Sequence, residues 1–392
     1  RIESEKDWFQ FAPEGTNLTE NFRKLLASPA IASKRWITEQ YDTSVRTNTL
    51  AGPGASDAAV VRIKESEKDG PNGKTMRALA LATDGNGRWC QLNPKVGAMH
   101  AVAEAARNVA TSGARPIAAT NCLNFGSPEK PEVMWQFSQA IDGISEACTA
   151  LGTPITGGNV SFYNETLGKS IYPTPVIGVL GILDDAARVV KIAFRNAGDV
   201  IVLLGGVALT DRHFERGEES LRSVQAQEFS SSEYSKTVGG IVAGEPPSID
   251  LAAEKRLIDC LVALANDGVV SSAHDISDGG LAVTLAESCF PVRARHGVPD
   301  LGASVTIADS APAECAIFGE HGARCLVTAA PAKLAALQAI ARQYTVAAQQ
   351  IGQVTADAAL RIEYKGRAII DSPVENLRDV WAYSLERTIA VG

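Results

Sequence analysis

The chain has 392 residues, a net charge of −8 and a pI near 5.3, with 45% apolar and 21% charged residues. That is the balance of an ordinary globular protein, long enough for two or three domains. The acidic charge argues against a nucleic-acid surface, which is usually basic, and no apolar run is long enough to span a bilayer.

Seven cysteines, at 90, 122, 148, 260, 289, 315 and 325, are scattered and odd in number, with no CxxC pair. Neither a disulfide framework nor a zinc site is expected from that pattern. Most of them fall in apolar helix or strand patterns, where a thiol acts as a small buried hydrophobe. A reducing cytoplasm is the expected compartment. The chain opens at Arg1 inside a charged segment, with no secretory pattern, and is expected to be part of something longer.

Residues 1–42 are polar and helix-prone, with Trp8, Phe9, Phe11, Phe22, Leu25 and Leu26 as scattered anchors. They read as a connector packed on a domain. Strands are expected over 58–63 and 76–83, joined by a charged loop, Lys64–Lys74. The second ends at Asp84-Gly-Asn-Gly-Arg88, where a phosphate or metal loop and a plain hairpin turn weigh equally. A helix follows from Asn93, the N-cap, with Pro94 in its first turn and Gly113 as its stop. Val96, Met99, Ala103, Ala106 and Val109 form its apolar stripe. A short buried strand, 116–119, runs into a polar loop, Asn121–Gly126. A second helix covers 131–151, with Met134, Phe137, Ile141, Ile144 and Cys148 on one face.

Thr153-Pro-Ile-Thr-Gly-Gly-Asn-Val-Ser161 follows. Two glycines let a backbone approach an anion closely. Asn159 offers a neutral oxygen suited to Mg²⁺, and Ser161 a hydroxyl. On residues alone a tight turn between two strands is the first reading. A strand over 176–183 closes an α+β domain of order βββαβαβ, with helices on one face. Neither GxGxxG nor GxxxxGK[ST] occurs.

The chain restarts at Gly198 with a strand, 200–204, and a Gly205-Gly206 turn. The stretch 211–237 is expected to be helical in part. Asp250 caps a helix to Asp267. In His274-Asp-Ile-Ser-Asp-Gly-Gly-Leu281, the spacing of His274, Asp275 and Asp278 could hold a metal. The favoured reading makes Asp278 the cap of a helix, 281–289. A strand over 325–328, a helix over 331–343, a strand near 350–354, a hairpin turning at Lys365-Gly366 and a short helical tail complete a second α/β domain. The expected division is 1–42, 43–195 and 196–392.

Several pieces in order resemble one family. They are Arg46-Thr-Asn-Thr49 with Gly52-Pro-Gly54, Ala103-Glu-Ala-Ala-Arg-Asn108, Thr120-Asn-Cys-Leu-Asn-Phe-Gly126, Thr156-Gly-Gly-Asn-Val-Ser161, Pro173-Thr-Pro175 and His274–Leu281. Together, from about residue 25 onward, they resemble the second half of the phosphoribosylformylglycinamidine synthases, in the aminoimidazole ribonucleotide (AIR) synthetase superfamily. The resemblance implies an α+β fold: an AIR-synthetase-like A domain, its sheet paired with that of the first half, then a larger α/β B domain. It implies ATP- and Mg²⁺-dependent amidation of formylglycinamide ribonucleotide with glutamine-derived ammonia. The implied partners are the N-terminal half, a glutaminase subunit and a small PurS-type subunit. A homodimer of this chain is a further expectation, because its sheet would otherwise stay bare.

Carried over by position, Asn121 and Gly158 match ATP-contacting residues, Asn159 a Mg²⁺ ligand and Ser161 a substrate contact. Relatives often carry aspartate at the place of Asn121. The family's catalytic histidines belong to the first half, so none of the five here is assigned that role. The Asp84–Arg88 and His274–Gly280 loops would lie near a second, auxiliary nucleotide site. Two other readings stay open: a complete homodimeric AIR-synthetase-like enzyme, and a non-catalytic nucleotide-binding half. Against the first, the Asp84–Arg88 loop lacks the lysine expected there.

Overall fold

The computed structural model describes residues 8–64, 76–206, 225–290 and 300–390. Residues 65–74 of the expected loop and much of the stretch 211–237 lie outside them.

The fold is α+β, built on two sheets. The first has the strands β1 (Thr49–Ala51), β2 (Ala59–Arg62), β3 (Ala78–Asp84), β4 (Arg115–Asn124), β5 (Ile155–Ser161) and β8 (Thr174–Leu183). Their order is β1-β2-β3-β8-β4-β5. Only β4 and β5 run parallel, and β5 is an edge strand. A small hairpin, β6 (Glu165–Thr166) and β7 (Lys169–Ser170), projects between β5 and β8.

The period-2 alternation of strands sorts this sheet's residues onto two faces. Val60, Ala80, Ala82, Val179, Ile177 and Ala119 point to one face and are buried. The helices α4 (Pro94–Thr111) and α5 (Pro131–Leu151) cover it. Asn93 caps α4 by accepting a hydrogen bond from the Val96 N–H, and Gly152 ends α5 in the left-handed region. Among the described residues nothing covers the opposite face, where Leu81 is 48% and Val61 37% exposed.

The second sheet has seven strands in the order β10-β12-β9-β13-β11-β14-β15. They are β9 (Val200–Gly205), β10 (Ser272–Asp275), β11 (Gly302–Ile307), β12 (Arg324–Ala329), β13 (Ala348–Thr355), β14 (Ala359–Tyr364) and β15 (Arg367–Pro373). Both its faces are covered, so its central strand β9 is a near-continuous apolar run. Val200, Val202 and Leu204 join the first domain's core, with α6 (Leu251–Asn266) and α9 (Leu334–Gln343). Ile201 faces the other way, into a core made by α7 (Gly280–Cys289), α8 (Ala313–Phe318) and α10 (Val374–Ala390). The N-terminal segment joins that second core through Phe9, Leu18, Phe22, Leu25 and Leu26, the last four around α1 (Thr19–Leu26). The short α2 (Arg35–Thr38) follows it.

Several local expectations change. The Gly157-Gly158-Asn159 stretch is not a turn but the middle of β5. Its pairing with β4, Asn121 opposite Gly158 and Cys122 opposite Asn159, overrides the turn preference of the glycines. The polar loop at 121–126 is strand as far as Asn124 for the same reason. Asp84–Arg88 is no hairpin. Asn86 caps a short helix, α3 (Gly87–Leu92), by accepting a hydrogen bond from Trp89 N–H. Asp278 does not cap α7; Gly279, in the left-handed region, stands there. On α5, Ile144 and Cys148 are buried, but Met134 and Ile141 are exposed because the helix turns smaller residues, Ala140, Gly143 and Ala147, to the core. The helical tail is 17 residues long rather than short.

Candidate functional site

The four residues singled out from the sequence come together at the β4–β5 edge, on two faces of it. Asn121 and Gly158 share the helix side with Ile177, and Asn159 and Ser161 share the open side with Cys122 and Asn124. Gly158 is required by close approach: a Cβ there would overlap Oδ1 of Asn121. Gly157 faces the open side, and a Cβ added to it would meet nothing within 4 Å. Bare backbone therefore lies between Asn159 and the Thr120 hydroxyl, which donates to Gly157 O at 2.9 Å. On the helix side, a groove of about 500 Å³ opens between α5 and β5, with Asn121 beside Ile141, Ile144, Cys148 and Ile155.

At the carboxyl ends of β4 and β5, where open sheets hold ligands, lies a polar cluster not anticipated from the sequence. Glu165 Oε1 accepts hydrogen bonds from Lys130 Nζ at 2.6 Å, Ser170 Oγ at 2.9 Å and the Ser127 N–H at 3.2 Å. The Lys130 bond, then Ser170 and Ser127, hold its carboxyl below the usual range. Asn164 Nδ2 donates to Ser161 O at 2.9 Å and orients that strand end. Lys130, just before α5, and Glu165, at the start of β6, lie 35 residues apart, so spacing alone gave no signal.

A second constellation sits where the two domains meet. Arg107 of α4 donates to Asp275 Oδ1 at 2.8 Å and to Glu254 Oε1 at 2.7 Å, all three buried. Arg88 of α3 donates to Glu233 at 2.6 Å, Glu320 at 3.3 Å and Asp278 at 3.4 Å. His274 lies between Asp57 Oδ1 at 2.6 Å and Glu287 Oε2 at 3.0 Å. Burial alone would discharge these cations. The facing carboxylates outweigh it, raising Arg88, and Arg107 and His274 well above their ordinary values. Beside them, burial pushes Asp84 up to about 7, and burial with the Asp84 charge raises Glu104 well above the carboxylate range. Burial, then Asp278, pushes Glu320 up to about 8.

His274, Asp275 and Asp278 thus each face a different partner and do not converge, so the spacing that could have held a metal holds ion pairs instead. Among the described residues, no group of three or more His, Cys, Asp or Glu side chains could hold a metal ion. The Asp84–Arg88 and His274–Gly280 loops do meet, through Arg88 and Asp278. Arg107 was readable in part: it is a charge set beside Ala103, Ala106 and Val109 on the helix's apolar side. Asp57 carried no signal.

Residues 55–183 match the N-terminal domain of the AIR synthase related proteins, and residues 196–365 match their C-terminal domain. The chain belongs to the AIR synthase related family. Among curated AIR synthase related proteins, the phosphoribosylformylglycinamidine synthase subunit PurL of Moorella thermoacetica is 43% identical over 361 residues. That match covers 92% of this chain and 44% of the relative. The chain spans about half the length of the curated relatives it matches. Thermotoga maritima PurL complexed with FGAR shares the fold at a TM-score of 0.66 and 19% identity, over 92% of this chain and 53% of that one. The same protein has been solved complexed with ATP. PurLQS from Thermotoga maritima aligns at a TM-score of 0.57 and 20% identity, over 77% of this chain and 45% of that one.

Proposed function

We propose that this chain is the second half of a phosphoribosylformylglycinamidine synthase, contributing part of a site for ATP-dependent amidation of formylglycinamide ribonucleotide. It would comprise a connector, 1–42, an A domain, 43–195, and a B domain, 196–392. The observation that carries this reading is the bare cradle at Gly157, flanked by Asn159 and Ser161 on an uncovered sheet face. The relatives named above give the direction.

ATP and Mg²⁺ fit the donor set only in part. Asn159 and Ser161 supply neutral oxygens, which suit a hard cation. The nearby carboxylate of Glu165 is engaged by Lys130. The metal's remaining charge must therefore be matched by polyphosphate and by groups outside this chain. Bound there, Mg²⁺ would neutralise charge on the transferring phosphoryl group. Asn121 and Gly158 would contact the nucleotide across the β5 edge. There the groove beside Ile144 and Ile155 offers an apolar wall to a base. Ser161, held by Asn164, would orient the substrate.

The first half of such an enzyme would cover the open sheet face and add the missing acid–base groups. A glutaminase subunit and a small PurS-type subunit would deliver ammonia. The seven cysteines are all free, as a reducing cytoplasm would keep them. Among the described residues no helix is long and apolar enough to cross a membrane.

The test is ADP release with ATP, Mg²⁺, ammonium and formylglycinamide ribonucleotide, by this chain with and without an added first half. Turnover only with the partner is expected, and Asn159→Ala should then reduce it at least tenfold. Turnover by this chain alone would overturn the shared site and favour a self-sufficient homodimer.

A further inference from the structure

The C-terminal domain has a cavity of about 930 Å³ with no part in the reading above. It lies at one end of the seven-stranded sheet, where β9, β11 and β13 meet the start of β12 and the β14–β15 turn. Its apolar wall includes Leu203, Ile307, Ala308 and Ala316. Its size is that of ordinary small-molecule sites, which combine an apolar wall with a few placed polar groups.

Arg324 is the placed group. Its Nε donates to His321 O at 3.2 Å and its Nη2 to Gly319 O at 2.6 Å. Two backbone carbonyls thus fix the guanidinium of a side chain that lines the cavity, and Nη1 has no hydrogen-bond partner among the described residues. The Cδ of Arg324 is packed by Gly206, where a Cβ would come within 3.4 Å of it. The other buried arginines behave differently. Arg88 has three carboxylates and Arg107 two, whereas no ion pair forms at Arg324 among the described residues. Burial lowers its pKa to about 10, the mark of a cation short of counter-charge.

The acids around the cavity are already engaged. Asp250 caps α6 through Ala252 and Ala253 N–H, and Glu254 Oε1 binds Arg107 and the Ala323 N–H. Asp309 Oδ1 accepts from Ala311 N–H, and it reaches Arg324 only through space. His321 is uncharged, its pKa pushed down to about 3 by burial and then by Arg324. Lys365 adds a second cation at the rim, over the Tyr364 ring. A fixed guanidinium with an open donor edge beside an apolar wall is the chemistry that recognises a carboxylate or phosphate on an apolar body.

We propose that this strand-end cavity is a second ligand site that takes a small organic oxyanion, with Arg324 holding the anionic group and the apolar wall holding the body.

Titration calorimetry of the 392-residue chain with phenyl phosphate, benzoate and inorganic phosphate tests it. Phenyl phosphate or benzoate should bind, and whichever binds more tightly assigns the anionic group. Each should exceed inorganic phosphate by about tenfold or more, from burial of the ring. Arg324→Gln should lose roughly ten- to a hundredfold in affinity. Ala347 is exposed at the cavity's rim, so Ala347→Trp should close the cavity and abolish binding with the fold kept, as circular dichroism would report. That variant carries the test if Arg324→Gln does not fold. Unchanged affinity in Ala347→Trp, no organic anion bound at millimolar concentration, or inorganic phosphate bound as tightly as phenyl phosphate would each overturn the proposal.

Discussion

The open face of the six-stranded sheet and the junction between the two domains are opposite kinds of surface. At the junction, every buried cation has found its carboxylates within the chain. On the open face, Val61 and Leu81 stand in solvent, with Leu79, Leu180 and Ile182 beside them in register. A chain of this size has ample apolar material to cover a sheet, and both faces of its second sheet are covered. Ion pairs therefore join the two domains, while one sheet face stays bare among the described residues.

The junction breaks most deeply at Arg107. Arg107→Met would leave Asp275 and Glu254 buried with no cation between them. Removing one partner of a buried pair typically costs about 3–5 kcal/mol, because the remaining charge is uncompensated. Urea unfolding should show a loss of that order. A midpoint within error of the parent would mean that the junction is not what binds the domains.

The junction also sets a pH dependence. Asp84, Glu104 and Glu320 all have folded pKa values above their ordinary ones. The folded chain therefore holds their protons more tightly than the unfolded chain does. Their contribution to stability is fully present below about pH 4, near the unfolded carboxylate values. It is lost as pH rises through about 7 for Asp84 and about 8 for Glu320. His274 acts in the same direction. Its raised pKa gives stability present below about pH 6.5, the unfolded value, and lost as pH climbs through the folded value. Asp84→Asn keeps an oxygen that can accept from Glu104 and removes the disfavoured charge. It should raise Tm by several degrees at pH 8, with the gain shrinking toward pH 5 and vanishing below pH 4. A gain independent of pH would show that the Asp84 proton is not involved.

How much of this was legible beforehand differs between the same two regions. The α4 and α5 boundaries could be read from Asn93, Pro94 and Gly152, because caps are local chemistry. The strands β2, β3 and β8 could be read from alternation. The edge strand β5 could not: Thr156-Gly-Gly-Asn159 has turn composition, and only pairing with β4, about 40 residues earlier, makes it a strand. The candidate residues Asn121, Gly158, Asn159 and Ser161 were grouped through family resemblance. Their division between two faces follows from register, which single residues do not carry. The junction was nearly invisible, because Arg88–Glu233 and Asp57–His274 are long-range pairs, 145 and 217 residues apart.

The open face gives the smallest expected effect on stability and the largest on assembly. Leu81 lies on β3, with Ala59 of β2 and Leu180 of β8 as its cross-strand neighbours. In this chain alone it is already half in water, so Leu81→Lys should change stability by no more than about 0.5 kcal/mol. If a second apolar surface covers the face, the same lysine must be buried without a counter-charge. Association with an added first half should then weaken by roughly tenfold or more. So should self-association of this chain, which a bare apolar face of this kind favours. Sedimentation equilibrium reads both. A parent chain that stays monomeric at high concentration and ignores an added first half, with Leu81→Lys behaving identically, would mean that the face is an ordinary surface, and the contrast with the junction would lose its functional meaning.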